Sequence, residues 1–219
     1  MKKISPPPVK RKGRPAAADS EDSKAKIITA ARDLIRSVHP SHVTKADVAK
    51  HAGVDAALVN YYFGDLDSVW LAVIAETTDS FARHMSGVTG STAAERIAAY
   101  VNAWLDIFSQ DPHFNDLMVG QVFYGSSDQA KMYMARALTR VRELEQVVLE
   151  GVEQGEFREI EPGYLFLSIV GLTEFFVTAT PLVRGIFGER ASMKRLTEEY
   201  RDFVSRLVLD GISHRTKQG

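Results

Sequence analysis

At 219 residues with a formal net charge of −1, the chain is long enough to bury a sizeable core as one large domain or two small ones. It contains no cysteine, which excludes a disulfide framework, a thiolate metal site and a cysteine nucleophile, and suits a reducing cytoplasm. Charge is unevenly spread: residues 1–68 hold 12 Lys/Arg against 8 Asp/Glu, whereas residues 69–219 hold 15 against 20, so a polyanion is expected to meet the first third.

Residues 1–22 read as a disordered basic tail. Pro6, Pro7 and Pro8 forbid a helix, and Lys10, Arg11, Lys12 and Arg14 bring charge with little apolar content. No apolar run follows the first lysines, so no signal peptide is expected. The unit Gly13-Arg14-Pro15 resembles an AT-hook core, which lies extended in a narrow minor groove. The four cations are therefore candidates for phosphate or minor-groove contact, against the plainer reading of a solubilising tail.

Ser23 is expected to cap a helix over Lys24–Val38, with Ile27, Ala31, Leu34, Ile35 and Val38 at helical spacing. Pro40 prevents its continuation. The stretch Thr44–Phe63 then reads as two short helices around a tight turn. Thr44 can cap the first, on which Val48, Ala49 and Ala52 share a face. Gly53 stands at the reversal, where glycine adopts a left-handed conformation at least cost. Asp55 can cap the second helix, with Leu58 and Val59 inward. Ala56, Ala57, Asn60 and Tyr61 remain outward: small residues for close approach, an amide and a phenol for hydrogen bonds. This is the layout of a helix-turn-helix, although an αα-corner in any helical protein shares the turn.

From Asp65 a long helix is predicted to about Met85, with Leu66, Val69, Trp70, Val73, Ile74, Thr77 and Phe81 in one stripe. The remainder reads as helix throughout. Thr92–Ser109 turns Ile97, Val101, Trp104, Leu105 and Phe108 inward, and Asp111-Pro112 restarts the chain into a short apolar segment, His113–Tyr124. A long helix from Ser127 or Asp128 to about Gly155 is given the buried stripe Met132, Ala135, Leu138, Val141, Leu144, Val148 and Val152. Pro162 opens Tyr164–Val183, apolar almost all round. Ser192 caps a last helix with Met193, Leu196, Tyr200, Phe203, Leu207 and Ile212 inward.

The expected fold is all-α, with a helix-turn-helix unit over residues 23–68 and a larger helical unit over 69–219. Tyr164–Val183 has the length of a membrane span. Glu174 within it, Pro181 near its end and the lack of a second such segment favour a buried helix, so no membrane is expected. Trp104, Phe108, Met118, Phe123, Tyr124, Tyr133, Phe166 and Phe175 either line a ligand cavity or fill a core, and both readings stay open.

Over residues 27–74 the chain resembles the tetracycline-repressor (TetR) family of bacterial transcription regulators. Thr44, Val48, Ala49, Ala52, Gly53, Val54, Asn60, Tyr61 and Phe63 stand where that family's pattern places a threonine, an Ala-Gly-Val turn and an aromatic-rich run. Two positions depart. Tyr62 replaces the usual histidine, though a phenol can still donate to a phosphate. Leu66 replaces a lysine that grips the DNA backbone, and Asp65 and Asp67 beside it repel phosphate. The resemblance implies a homodimer on double-stranded DNA, with a four-helix interface from the last two helices and a pocket for an unidentified small-molecule effector.

The leading reading is a ligand-responsive regulator, most often a repressor in such families, acting in the cytoplasm on a palindromic operator. The tail, Thr44, Lys45 and Tyr62 would hold backbone, while Ala56, Ala57, Asn60 and Tyr61 would face bases. The alternative is an architectural protein that binds DNA without sequence choice through its tail. An enzyme with a dispersed site is the third reading. The six histidines show no His-Glu-x-x-His spacing and there is no glycine-rich phosphate loop, so no catalytic residue, cofactor or metal is expected.

Overall fold

In a computed structural model, which describes residues 17–88 and 92–214, every regular element is helical. Helices α1 (Ala17–Ile35), α2 (Lys45–Ala52), α3 (Ala56–Phe63) and α4 (Leu66–Ser86) come first. They are followed by α5 (Ala93–Gln110), α6 (Phe114–Leu117), a π-helical turn over Met118–Phe123, α7 (Asp128–Glu153), α8 (Pro162–Thr178), α9 (Thr180–Phe187) and α10 (Met193–Ile212).

Local capping explains most of the boundaries. Thr44 and Asp47 form a reciprocal capping box at α2, with the Asp47 amide donating to the Thr44 hydroxyl at 3.2 Å and the Thr44 amide to the Asp47 carboxylate at 2.9 Å. Gly53 closes α2 at φ 66°, and Asp55 accepts the Ala57 amide to open α3. Asp65, Thr92, Ser127 and Ser192 cap α4, α5, α7 and α10 in the same way.

Helix α1 departs from expectation at both ends. It begins at Ala17, so residues 17–22 are helical rather than tail and Ser23 lies inside the helix. It stops at Ile35, after which the chain turns through residues 36–38. His39 then accepts the Ser41 amide, and Pro40 opens a single 3-10 turn, Pro40–His42. Ile27, Ala31, Ile35, Val48, Ala49, Val59, Val69, Trp70, Val73 and Ile74 join in one buried cluster. That cluster does not end with α4: Phe108, Phe114, Leu117, Met118 and Val122 belong to it too. Asp111 is fully buried at the end of α5, where it accepts the Arg32 guanidinium at 2.7 Å and Arg36 at 3.5 Å. Together these contacts tie α1 to the α5–α6 corner.

Three further expectations are corrected. On α7, Met132, Ala135 and Leu138 are exposed. Val141, Leu144 and Val148 face inward as expected, but before them the inward row runs through Ala130, Met134 and Ala137, and Gly151 rather than Val152 is the buried residue at its end. On α10 the inward row is Leu196, Val204, Val208 and Ile212, leaving Phe203 and Leu207 outward. Tyr164–Val183 is not one buried helix: Pro181, lacking an amide to continue the ladder, restarts the chain as α9 at 75° to α8. No single helix among the described residues is long and apolar enough to cross a membrane. Tyr164, Leu167 and Phe175 stand out from α8 into solvent.

Candidate nucleic-acid interface and cavity

Helix α3 turns Val59 into the core and leaves Ala56, Ala57, Asn60 and Tyr61 exposed, with Tyr61 62% accessible. Its face is not free of internal bonds. The ammonium of Lys45, the first residue of α2, donates to Asn60 Oδ1 at 2.6 Å and to the Gly64 carbonyl at 3.2 Å. Lys45 therefore joins the start of α2 to the middle and the C-terminal end of α3, a contact with no signature in sequence spacing. The Asp65 carboxyl lies below its ordinary value, chiefly through hydrogen bonds from Ser68, with Lys45 adding a smaller attraction.

The other expected contacts are placed differently. The Thr44 hydroxyl is engaged in the capping box, donating to Asp47 at 2.6 Å. Bonds from the Thr44 hydroxyl and amide hold the Asp47 carboxyl below its usual range. The Tyr62 hydroxyl is buried, with its ring packed on the cluster that joins α1 to α4 and Lys24 5.7 Å from the ring centre, so it does not reach a phosphate in this conformation. Leu66 packs against the same core, which accounts for an apolar residue at that position. Lys10, Arg11, Lys12 and Arg14 lie outside the described residues.

Below α4, a cavity of about 210 Å³ opens between α4, α5, α7, α8 and the π-helical turn. Of the expected residues, Trp104, Phe108, Met118, Phe123 and Phe166 line it. In its wall Trp104 is stacked on Phe108 at 5.6 Å and edge-on to Phe166 at 5.9 Å. Phe81, Phe114, Met134, Leu138 and Val141 complete an apolar wall, and Thr78, Asn115 and Arg140 are the polar residues at its margin. Arg140 already bonds Glu143.

Tyr124, Tyr133 and Phe175 do not line this cavity. Tyr124 ends the π-helical turn 84% exposed, Tyr133 packs with Met134 and Ala137 on the core cluster and holds Arg136 over its ring, and Phe175 projects outward from α8. The π-helical turn itself was not legible as such in His113–Tyr124. It widens the helix by one residue, which sets Met118 inward and Phe123 at the cavity rim, and such turns recur at functional sites.

The profile of the family described as "Tetracyclin repressor-like, C-terminal domain" matches residues 94–208. The HTH-type transcriptional regulator RutR of Escherichia coli K12 is 22% identical over 209 residues, spanning 94% of this chain and 98% of its own. Among solved structures, the ketosteroid transcriptional regulator KstR2 of Mycobacterium tuberculosis superposes with a TM-score of 0.66 at 14% identity, covering 88% of this chain and 95% of that one. A TetR/AcrR-family regulator from Thermobifida fusca gives 0.64 at 19%, covering 87% and 98%. At such identities the structural likeness speaks for the fold alone. The profile, however, spans more than half of the chain and continues from a capped helix-turn-helix: the chain belongs to the tetracycline-repressor family of DNA-binding transcription regulators.

Proposed function

We propose that the chain is a ligand-responsive repressor, working in the cytoplasm as a homodimer on an inverted-repeat operator. The observation that carries this reading is the outward face of α3. Ala56, Ala57, Asn60 and Tyr61 contribute nothing to the core, yet together present small surfaces, an amide and a phenol. That set suits a major groove, where alanines touch thymine methyls and an asparagine pairs with adenine. Lys45 and, by their sequence, Lys10, Arg11, Lys12 and Arg14 supply charge for the backbone and the adjacent minor groove.

The dimer reading is supported by apolar surface. Tyr164, Leu167 and Phe175 on α8, Leu182, Ile186 and Phe187 on α9, and Phe203 and Leu207 on α10 are all exposed. Soluble chains seldom leave so many large apolar side chains uncovered. Paired across a two-fold axis, α8 and α10 form a four-helix bundle that buries them.

The effector reading rests on the cavity, whose wall is apolar but for Thr78, Asn115 and Arg140 at its margin. It fits a small hydrophobic molecule with one polar end. Leu117, Met118 and Val122 pack in the same cluster as the α1–α4 core, so a ligand that displaces the π-helical turn presses on the DNA-binding unit. The test uses Trp104 as reporter. An apolar compound that quenches its fluorescence should release a bound duplex over the same concentration range. Quenching without release would sink the ligand-response reading.

A further inference from the structure

Away from the cavity and α3, three side chains from two segments far apart in sequence converge. His39 ends the turn that leads from α1 into α2, His113 precedes α6, and Asp116 lies within α6. One donor atom from each lies within 4.8 Å of the others. His113 Nδ1 is 2.8 Å from Asp116 Oδ2, and His39 Nε2 is 3.6 Å from the same oxygen. The second distance is too long for a hydrogen bond. Both bracket the spacing of about 3.3 Å between neighbouring ligands on a tetrahedral ion with metal–donor bonds of about 2.0–2.1 Å.

We propose that His39, His113 and Asp116 bind a divalent transition-metal ion, Zn²⁺ by the preference of this donor set, which clamps the entrance of α2 to α6. Two imidazoles and a carboxylate are the ligand types Zn²⁺ takes, and the partial exposure of all three leaves room for water to complete the sphere. The orientation of His39 is set from behind. Its Nδ1 lies 2.7 Å from Ser41 Oγ and 3.2 Å from the Ser41 amide. Ligation through Nε2 leaves the ring proton on Nδ1, where Ser41 Oγ at 2.7 Å accepts it in exchange for the bond from the Ser41 amide, the usual support for a ligating imidazole. The neighbouring cations do not compete for the site's carboxylate, because Arg36 is held by Asp33 and Asp111, and Arg32 by Asp111.

The position gives the ion a consequence. The His39 turn leads directly into the 3-10 turn and the Thr44 cap of α2, while α6 leads into the π-helical turn that carries Met118 and Phe123 to the cavity. A metal there fixes the spacing between the DNA-binding unit and the cavity wall, independently of any organic ligand.

The test uses the untagged full chain. Titration with Co²⁺ should produce visible d–d absorption saturating at one ion per chain, Zn²⁺ should abolish that absorption by displacement, and Zn²⁺ should raise the melting temperature. His39→Ala and His113→Ala should each lose both responses, with circular dichroism confirming that the variants fold. His84→Ala, on α4 and outside the cluster, should keep them. Conservative Asp116→Asn should weaken binding while preserving the fold. Absence of d–d absorption, or binding retained in both histidine variants, would overturn the proposal.

Discussion

The 2.6 Å bond from the Lys45 ammonium to Asn60 Oδ1 leaves the Asn60 NH₂ group and one oxygen lone pair for a base edge. Lys45 thus orients the amide as well as adding charge. Asn60→Ala should cost about 1–3 kcal/mol in specific DNA binding. Lys45→Met should also weaken it, and the two losses should be non-additive in a double-mutant cycle measured by fluorescence anisotropy, because one acts through the other. Additive losses would reduce Lys45 to an ordinary phosphate contact. At this scale the sequence was most legible where chemistry is local. Thr44, Asp55 and Ser192 could be read as caps because a cap needs only its own first turn, whereas Ser23, read as a cap, lies within a helix that starts at Ala17. Tyr62 and Leu66 could not be read, since whether a tyrosine hydroxyl faces a phosphate or a core depends on what packs over it. Here both side chains pack on the core beneath α3 and α4.

Between elements, the contact least visible in sequence is Asp111 with Arg32 and Arg36, which joins residues more than 70 positions apart. A carboxylate with no access to solvent, paired with two guanidiniums, makes the α1–α5 junction sensitive to its loss. Asp111→Ala should destabilise the fold by about 3 kcal/mol, the low end for breaking a buried pair, because both arginines keep some contact with water. Urea unfolding measures this, and a change under 1 kcal/mol would mean that the pair is incidental. Periodicity located every long helix but misread facing wherever two apolar rows run side by side. On the first half of α7 the row Met132, Ala135 and Leu138 competes with Ala130, Met134 and Ala137, both running on into Val141, and only packing against α5 and α8 selects the second. On α8 the apolar residues run almost all round, and on α10 Phe203 and Leu207, read as inward, are exposed beside the buried row of Leu196, Val204, Val208 and Ile212. The break before Pro181 separates elements that hydropathy alone had merged.

For the whole molecule, membership of a regulator family sets aside the enzyme reading, and the remaining claims concern assembly and recognition. Phe175 and Phe203 are 62% and 55% exposed on the faces proposed to pair. Phe203→Arg should convert a dimer into a monomer in analytical ultracentrifugation at micromolar concentration while leaving helicity unchanged. A wild-type chain that sediments as a monomer would remove the two-fold arrangement altogether. That arrangement matters because two copies of α3 related by a two-fold axis read half-sites in inverted orientation, with centres about 34–36 Å apart or multiples of that spacing. The most direct measurement is selection of bound sequences from a random duplex pool, run in parallel for the wild type and the Asn60→Ala, Tyr61→Ala double variant. An inverted repeat should emerge for the wild type, with the information at its half-site centres lost in the variant. Enrichment of no motif, or of the same motif by both proteins, would contradict the assignment of α3 as the element that reads DNA.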